Sequence, residues 1–343
     1  MRVAINGFGR IGRVFFRQAF GQKGVEIVAI NDLGSVDNLA YLLKYDSVYG
    51  RYRKEVEHKT GDDCQIVVGG LPAQAGKKIK FLQERDPSKL PWKELKIDVV
   101  VESTGVFDSY EKAKPHLDAG AKRVVITAPA KDDGESKTFT PNVGVSFASE
   151  GPITSNASCT TNATTPVVAV MMQNPGIEKA VLNTMHGYTA SQSLVDSPSG
   201  RDMRRGRAAA ANIVPSSTGA AEAVFKAIPQ TKGKFDGIAV RVPVISGSLI
   251  DFTFVASRKT SAEEINEIFK KAAAKPEWQG ILKVSEEPLV STDIIGDSHG
   301  SIVDLSLTRV VDGNLVKVMA WYDNEWGYGA MLLKHIESLK NFL

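Results

Sequence analysis

Gly7-Phe8-Gly9-Arg10-Ile11-Gly12 constrains this chain more than any other stretch of it. A G-x-G-x-x-G alone is a weak motif, and its context gives it force. Here it follows a short apolar β run, Val3 to Ile5, and opens a segment in which Ile11, Val14, Phe15 and Ala19 recur at helical spacing. Gly24 then leads into Val25-Glu26-Ile27-Val28-Ala29-Ile30, a second strand ending at Asn31-Asp32. Strand, glycine turn, helix and strand make a βαβ unit whose helix N-terminus offers backbone N–H groups to a pyrophosphate. Asp32, 20 residues after Gly12, stands where a carboxylate accepts from adenine ribose hydroxyls. The same carboxylate would repel a ribose 2′-phosphate by a few kcal/mol at an effective dielectric of ~20. The expected cofactor is NAD rather than NADP.

The βαβ rhythm continues. Asp98 to Glu102 is the continuous apolar run of a buried parallel strand, Asp108 to Leu117 reads as a helix with Asp108 and Glu111 at capping-box spacing, and Arg123 to Thr127 is another strand. From about Gly237 the pattern changes to longer alternating strands, Ile238–Val242 and Leu249–Val255, as in an antiparallel sheet with one covered face. Ser261 to Ala273, with Ser261 and Glu264 as its capping box, and Ala330 to Leu339 read as helices. The fold class expected is α/β, a doubly wound N-terminal domain followed by an α+β domain with a largely antiparallel sheet. The boundary falls near residues 155–159, and 343 residues suit two domains. A net charge of +3 argues for neither nucleic acid nor a membrane surface as partner. No apolar run approaches the ~18–20 residues that span a bilayer. The start, Met1-Arg2-Val3-Ala4-Ile5, reads as a strand rather than a signal peptide, and the two cysteines read as reduced thiols, so a cytoplasmic location is expected.

Ser155-Asn156-Ala157-Ser158-Cys159-Thr160-Thr161-Asn162 carries the chemistry. Cys159 sits among small polar residues before a helix-like run, Thr165 to Met172. A helix N-terminus stabilises a thiolate, so a thiol pKa lowered from ~8.5 toward ~6 is expected. Cys64 reads as part of a strand. Among five histidines, His186 lies at the end of a strand beginning at Ala180 and is the candidate base. His58, His116, His299 and His335 read as solvated. Arg201, Arg204, Arg205 and Arg207 form a basic run, read as a solvated or subunit-bridging loop. Arg241 interrupts an apolar strand, where a bound anion or a buried carboxylate has to satisfy it unless it points to solvent.

These residues resemble phosphorylating glyceraldehyde-3-phosphate dehydrogenase along essentially the whole chain. The motifs are INGFGRIGR at 5–13, AIND at 29–32, LLKYDSVYG at 42–50, ERDPSKLPW at 84–92, VVESTGVF at 100–107, AKRVVITAPAK at 121–131, SNASCTTN at 155–162, RAAAANIVPSSTGAA at 207–221 and WYDNEWGY at 321–328. The resemblance implies Cys159 as nucleophile and His186 as its activator. It implies NAD contacts from Gly7, Gly9, Arg10, Ile11, Gly12, Asp32, Arg85, Thr127 and Asn324, with Tyr328 near the nicotinamide. Ser158, Thr160, Thr218 and Gly219 would take the attacking inorganic phosphate. Thr189 and Arg241, with Arg207 nearby, would take the phosphate of glyceraldehyde 3-phosphate. Pro198 resembles the NAD-preferring members. No metal is implied. The implied domains are 1–157 for NAD, joined by the C-terminal helix 324–343, and 158–323 for catalysis, in a homotetramer. Ala163, Ser191, Ser193 and Glu222 depart from the usual pattern. Erythrose-4-phosphate dehydrogenase, and a non-catalytic NAD- or RNA-binding homologue, are the alternatives.

Overall fold

The computed structural model describes residues 1–69, 76–132, 134–200 and 202–343; Arg201 of the basic run lies outside them. The chain divides into two compact units. The first comprises Met1–Phe139, Ser146–Asn156 and Leu332–Leu343, the second Thr140–Val145 and Ala157–Met331. Thr140–Val145 goes with the second because the Thr140 hydroxyl pairs with that of Thr165 at 2.7 Å and Val143 joins that unit's core.

In the first unit the chain runs β1 (Arg2–Asn6), α1 (Arg10–Ala19), β2 (Glu26–Asn31), α2 (Val36–Lys44), β3 (Val56–Lys59), β4 (Gln65–Val68), β5 (Lys77–Leu82), β6 (Val99–Glu102), the single turns α3 (Tyr110–Ala113) and α4 (Pro115–Asp118), β7 (Arg123–Ile126), β8 (Lys137–Thr138) and β9 (Ile153–Ser155). The nine strands order as β3-β4-β5-β2-β1-β6-β7-β9-β8, and only the β3-β4 and β4-β5 pairs are antiparallel. β1 lies between β2 and β6, buried on both faces, which is why Val3-Ala4-Ile5 and Val99-Val100-Val101 are unbroken apolar runs. The chain leaves β1 to one side for β2 and returns to its other side at β6. That is the switch point at which open α/β sheets hold ligands.

The helix expected over Asp108–Leu117 is two separate turns, because Pro115 has no N–H to continue the ladder. Its capping box does not form. Ser109 is the N-cap, the Tyr110 amide donates to Asp132, and Asp108 pairs with Lys112 and Lys131. Two histidines expected in solvent are buried. His116 accepts from Trp92 Nε1 at 3.0 Å and donates through Nε2 to Glu102 at 3.1 Å. His335 stacks on Phe139 with centroids 3.8 Å apart and bonds Thr154 and Asn156. Both lie in segments whose charged neighbours face water while the ring faces inward, so composition misled.

The second unit holds α5 (Cys159–Gln173), β10 (Ile177–Gly187), β11 (Val214–Ser217), α6 (Ala220–Ala227), β12 (Phe235–Val242), β13 (Ser248–Ala256), α7 (Ala262–Ala273), β14 (Leu282–Ser285), β15 (Ser301–Asp304), β16 (Arg309–Val311) and β17 (Leu315–Tyr322). α8 (Trp326–Ser338) starts there and ends in the first unit. The sheet order is β11-β12-β10-β13-β17-β15-β14, with β16 on β17; β10-β12 and β14-β15 are parallel and the other pairs antiparallel. Alternation along β10 turns Ala180, Leu182, Thr184 and His186 to the buried side, where α5 and the core cluster lie. Ser261 caps α7 as expected, accepting from the Glu264 amide at 3.2 Å; the Glu264 carboxylate goes to Arg258 and Thr260, so only half of the box forms. Among the described residues no helix is long and apolar enough to cross a membrane.

Candidate active site

In the first unit, the C-terminal ends of β1, β2, β5 and β6 surround a cleft of about 340 Å³ lined by Gly7, Gly9, Asp32, Arg85, Ser103 and Thr104 among others. Gly7 has φ +93°, and a Cβ there would sit 2.6 Å from the Thr104 amide. At Gly12 a Cβ would meet Gly7 O at 2.3 Å, so that glycine sets the packing of the turn on α1. Gly9 is different: nothing lies within 4 Å of its Cβ position, leaving the backbone open to a ligand. α1 starts there without a side-chain cap, as an anion-binding helix start requires. The Asp32 carboxylate is fixed on the cleft wall by the Phe8 amide at 2.6 Å and the Gly34 amide at 2.8 Å.

Gly7, Gly9, Asp32 and Arg85 thus share one cleft, which fits the phosphates and ribose of a dinucleotide. Arg10, Ile11, Gly12 and Thr127 do not line it. Arg10 turns its guanidinium to Asp46 and over the Tyr49 ring, so only its backbone is placed to serve a ligand. Thr127 follows β7 and donates its amide to Glu102 O.

In the second unit, Ser158 caps α5: its hydroxyl accepts from the Thr161 amide at 3.0 Å. Cys159 is therefore the first helical residue, six positions earlier than the apolar pattern suggested. Nearly every face of α5 is buried, so no stripe marks where it begins. The parallel register of β10 and β12 sets Arg241 directly beside His186. Cys159 Sγ lies 3.2 Å from His186 Nε2. On the other side of the ring, Nδ1 is 2.6 Å from Gly187 O and 2.8 Å from Arg241 Nη1, which also donates to Gly187 O at 3.0 Å. No carboxylate pairs with Arg241 among the described residues; imidazole and a carbonyl hold it.

The electrostatics correct one expectation. Burial pushes the Cys159 thiol up rather than down, although Arg241 and the first amides of α5 pull the other way. Burial and then Arg241 lower His186 to about 3. Burial thus opposes the charged form of each partner, and at Cys159 the helix N-terminus alone does not offset it.

Two groups at this site were not legible in the sequence. Tyr322, at the end of β17, sets its ring edge-on to His186 at 5.9 Å and hydrogen-bonds Thr160 and Thr184 at 2.9 Å each. The Thr160 hydroxyl is thereby engaged within the core. Arg205 clamps the Ser216 hydroxyl at 2.9 and 2.6 Å, reaches Ser191 at 3.4 Å, and its charge bears on His186 and Arg241. Arg207, expected near the phosphate, instead forms an exposed ion pair with Asp196 at 3.0 Å. A run of four arginines gives no signal as to which one turns inward. Thr189 pairs with Ser191 at 2.9 Å, and Thr218 and Gly219 form the start of α6, where the Thr218 hydroxyl accepts from the Ala220 amide. Asn324 Oδ1 accepts from Ser248 at 2.8 Å, and Tyr328 donates to Ala157 O at 3.0 Å.

The departures are accommodated. Ala163 is fully buried in α5, Glu222 pairs with Lys226 at 3.1 Å, and Ser193 bonds Ser197 at 2.7 Å.

Residues 1–110 match the NAD binding domain of glyceraldehyde 3-phosphate dehydrogenase, and residues 158–324 match its C-terminal domain. The chain is 47% identical to glyceraldehyde-3-phosphate dehydrogenase of Borreliella burgdorferi over 99% of both chains. It is 46% identical to glyceraldehyde-3-phosphate dehydrogenase 2 of Streptomyces avermitilis, over 97% of this chain and 96% of that one. With glyceraldehyde-3-phosphate dehydrogenase 1 of Saccharomyces cerevisiae it shares 45% over 98% of both. A nucleotide cleft at the sheet's switch point, a cysteine–histidine pair at the head of a buried helix and near full-length identity lead to one statement: this chain belongs to the glyceraldehyde 3-phosphate dehydrogenase family.

Proposed function

We propose that this protein oxidises and phosphorylates glyceraldehyde 3-phosphate to 1,3-bisphosphoglycerate, using NAD and a thioester on Cys159. The observation that carries the reading is the 3.2 Å approach of His186 Nε2 to Cys159 Sγ at the first turn of α5, with Arg241 adjoining the imidazole. Cys159 attacks the aldehyde carbon, forming the C–S bond of a hemithioacetal. His186 takes the hydroxyl proton as the carbonyl re-forms. NAD, when bound, supplies the acceptor for the hydride that leaves that carbon. The thioester left on Cys159 is then attacked by inorganic phosphate, which breaks the C–S bond and returns the thiolate.

Arg241 and Thr189 are assigned to the substrate phosphate, and Thr218 and Gly219 with Ser158 to the attacking one. Arg205 replaces Arg207 as the arginine that serves them. Asn324, its amide oriented by Ser248, is assigned to the nicotinamide carboxamide, with Gly7, Gly9, Asp32 and Arg85 on the rest of the dinucleotide. Two thiols without a disulfide suit a reducing compartment such as the cytoplasm.

A homotetramer is supported by apolar side chains that an isolated chain leaves in water: Val181 and Ile238 on the sheet and Leu194, Val195, Met203 and Ile213 in the loops, all at least 57% exposed. Light scattering tests the assembly. For the reaction, NADH formation from glyceraldehyde 3-phosphate should require inorganic phosphate. Equal rates without phosphate would mean hydrolysis of the thioester, and no NADH from folded protein would refute the assignment.

A further inference from the structure

Glu102, at the end of β6 and 2% exposed, takes no part in the proposed reaction. Its surroundings follow from groups that can only donate or only accept. The Glu84 amide donates to Asn31 Oδ1 at 2.9 Å and the Glu84 carbonyl accepts from Asn31 Nδ2 at 2.9 Å, which fixes the Asn31 amide. Asn31 Nδ2 also donates to Asn6 Oδ1 at 2.7 Å, so Asn6 Nδ2 is the atom that reaches Glu102 Oε2 at 2.6 Å. The Trp92 indole N–H donates to His116 Nδ1 at 3.0 Å, so the ring proton is on Nε2 and goes to the same Oε2 at 3.1 Å. The 3.3 Å approach of Asn6 Nδ2 to that nitrogen is then two donors meeting at one acceptor. On Oε1, the Thr104 amide donates at 2.8 Å. The Thr104 hydroxyl, which accepts from the Val106 amide at 3.1 Å, donates there as well.

Four donors thus converge on two oxygens and leave no acceptor for a carboxylic proton, which is the environment of a carboxylate anion. None of the four is a cation. A His116 ring whose Nδ1 accepts from Trp92 carries no charge, and among the described residues no lysine or arginine pairs with Glu102. The charge is therefore buried and hydrogen-bonded but not neutralised, which is costly for a fold to keep. Asn6 and Thr104, which hold it, line the nucleotide cleft, so the charge lies one side chain beneath the ligand surface. Asp32 follows β2 on one side of β1, placed for the adenine ribose, and Glu102 ends β6 on the other. A dinucleotide crosses an open α/β sheet at this switch point, which puts its nicotinamide half on the β6 side.

We infer that Glu102 is a specificity-determining residue for the redox state of the cofactor: its buried negative charge favours NAD, whose nicotinamide ring is cationic, over NADH, whose ring is neutral. Hydride transfer then removes the positive charge that the cleft prefers, which loosens NADH for exchange against fresh NAD.

The role of Glu102 rests on the proposed use of NAD, and equilibrium binding rather than turnover tests it. Dissociation constants for NAD, NADH and ADP-ribose are measured by isothermal titration calorimetry on the wild type and on Glu102→Gln. ADP-ribose keeps the pyrophosphate and lacks the ring. Removing a buried anion relieves the phosphates in all three ligands and deprives only NAD of an attraction. The ratio of the NADH constant to the NAD constant should fall by about threefold or more in Glu102→Gln, since a unit-charge pair at an effective dielectric of ~20 is worth that much out to ~25 Å. The ratio for ADP-ribose to NAD should fall with it. A residue that only braced the fold would weaken all three ligands by one factor and leave both ratios in place, which overturns the inference. A fall for NADH that ADP-ribose does not share also overturns it, since ring contacts rather than charge would then be at work. Should Glu102→Gln fail to fold, the wild type decides, and NADH bound as tightly as NAD overturns the assignment. A wild type that binds neither dinucleotide would refute the proposed function as well, whereas phosphate-dependent NADH formation with unmoved ratios removes only the role of Glu102.

Discussion

Lowering the pH from 7 to 5 should weaken the fold by about 4 kcal/mol, through two histidines that the structure keeps neutral. His186 is 3% exposed and His335 0%, and burial lowers each to about 3. An unfolded histidine titrates near ~6.5. The folded values are depressed, so below pH 6.5 the unfolded chain binds more protons than the folded one. The contribution is therefore whole above ~6.5 and is lost as pH falls from there toward 3. At pH 5 an unfolded histidine is almost fully protonated, which stabilises the unfolded state by about 2 kcal/mol per ring. The figure is insensitive to the folded value, which lies well below 5. Carboxylates such as Asp46, Asp98 and Asp108 have pKa values held below the usual range, so they contribute only at lower pH. Urea unfolding followed by circular dichroism at pH 7 and pH 5 measures the difference. His335→Gln, which leaves the catalytic pair untouched, should keep only about half of the pH dependence. Equal stability at the two pH values, or an undiminished dependence in His335→Gln, would refute the reasoning.

Three further outcomes are expected. Cys159→Ser should reduce turnover by several orders of magnitude while the protein still binds NAD, because a serine hydroxyl beside a neutral imidazole is a far weaker nucleophile; near-normal NADH production would eliminate the thioester. Ser158→Ala removes bonds to both the amide and the hydroxyl of Thr161, at 3.0 and 2.8 Å, and should cost about 1–2 kcal/mol in urea unfolding. Ser158→Asn restores the cap, so it should recover most of that stability; the idea fails if Asn is no better than Ala. Asp32→Ala removes the carboxylate held by the Phe8 and Gly34 amides, and should raise kcat/KM for NADP relative to NAD by about tenfold, or about 1.4 kcal/mol. An unchanged ratio would show that Asp32 does not discriminate.

Much of the first unit could be read from the chain because its signals are local. Gly7 and Gly12 are required by a single turn and Gly9 leaves its backbone open, Asp32 follows at a fixed separation along the same βαβ unit, and buried parallel strands announce themselves as apolar runs. α5 escaped the same reading because burial on nearly every face erases helical periodicity, so its start at Cys159 could only be seen once Ser158 was in place as the cap. His116 and His335 show the converse, since a buried polar ring leaves no mark on the residues around it.

The sequence by itself determined which groups could do chemistry: a cysteine among threonines, a histidine ending a strand, an arginine interrupting another and a glycine turn before a helix. Tertiary structure alone decided which of them meet and how far each is withdrawn from water. Parallel register of β10 with β12 puts Arg241 on His186, and β17 carries Tyr322 to Thr160 and Thr184. Arg205 rather than Arg207 turns inward because Ser216 receives one and Asp196 the other. Burial then reversed the expected thiol shift. Desolvation and proximity depend on atoms brought from distant points of the chain, and no local pattern encodes them.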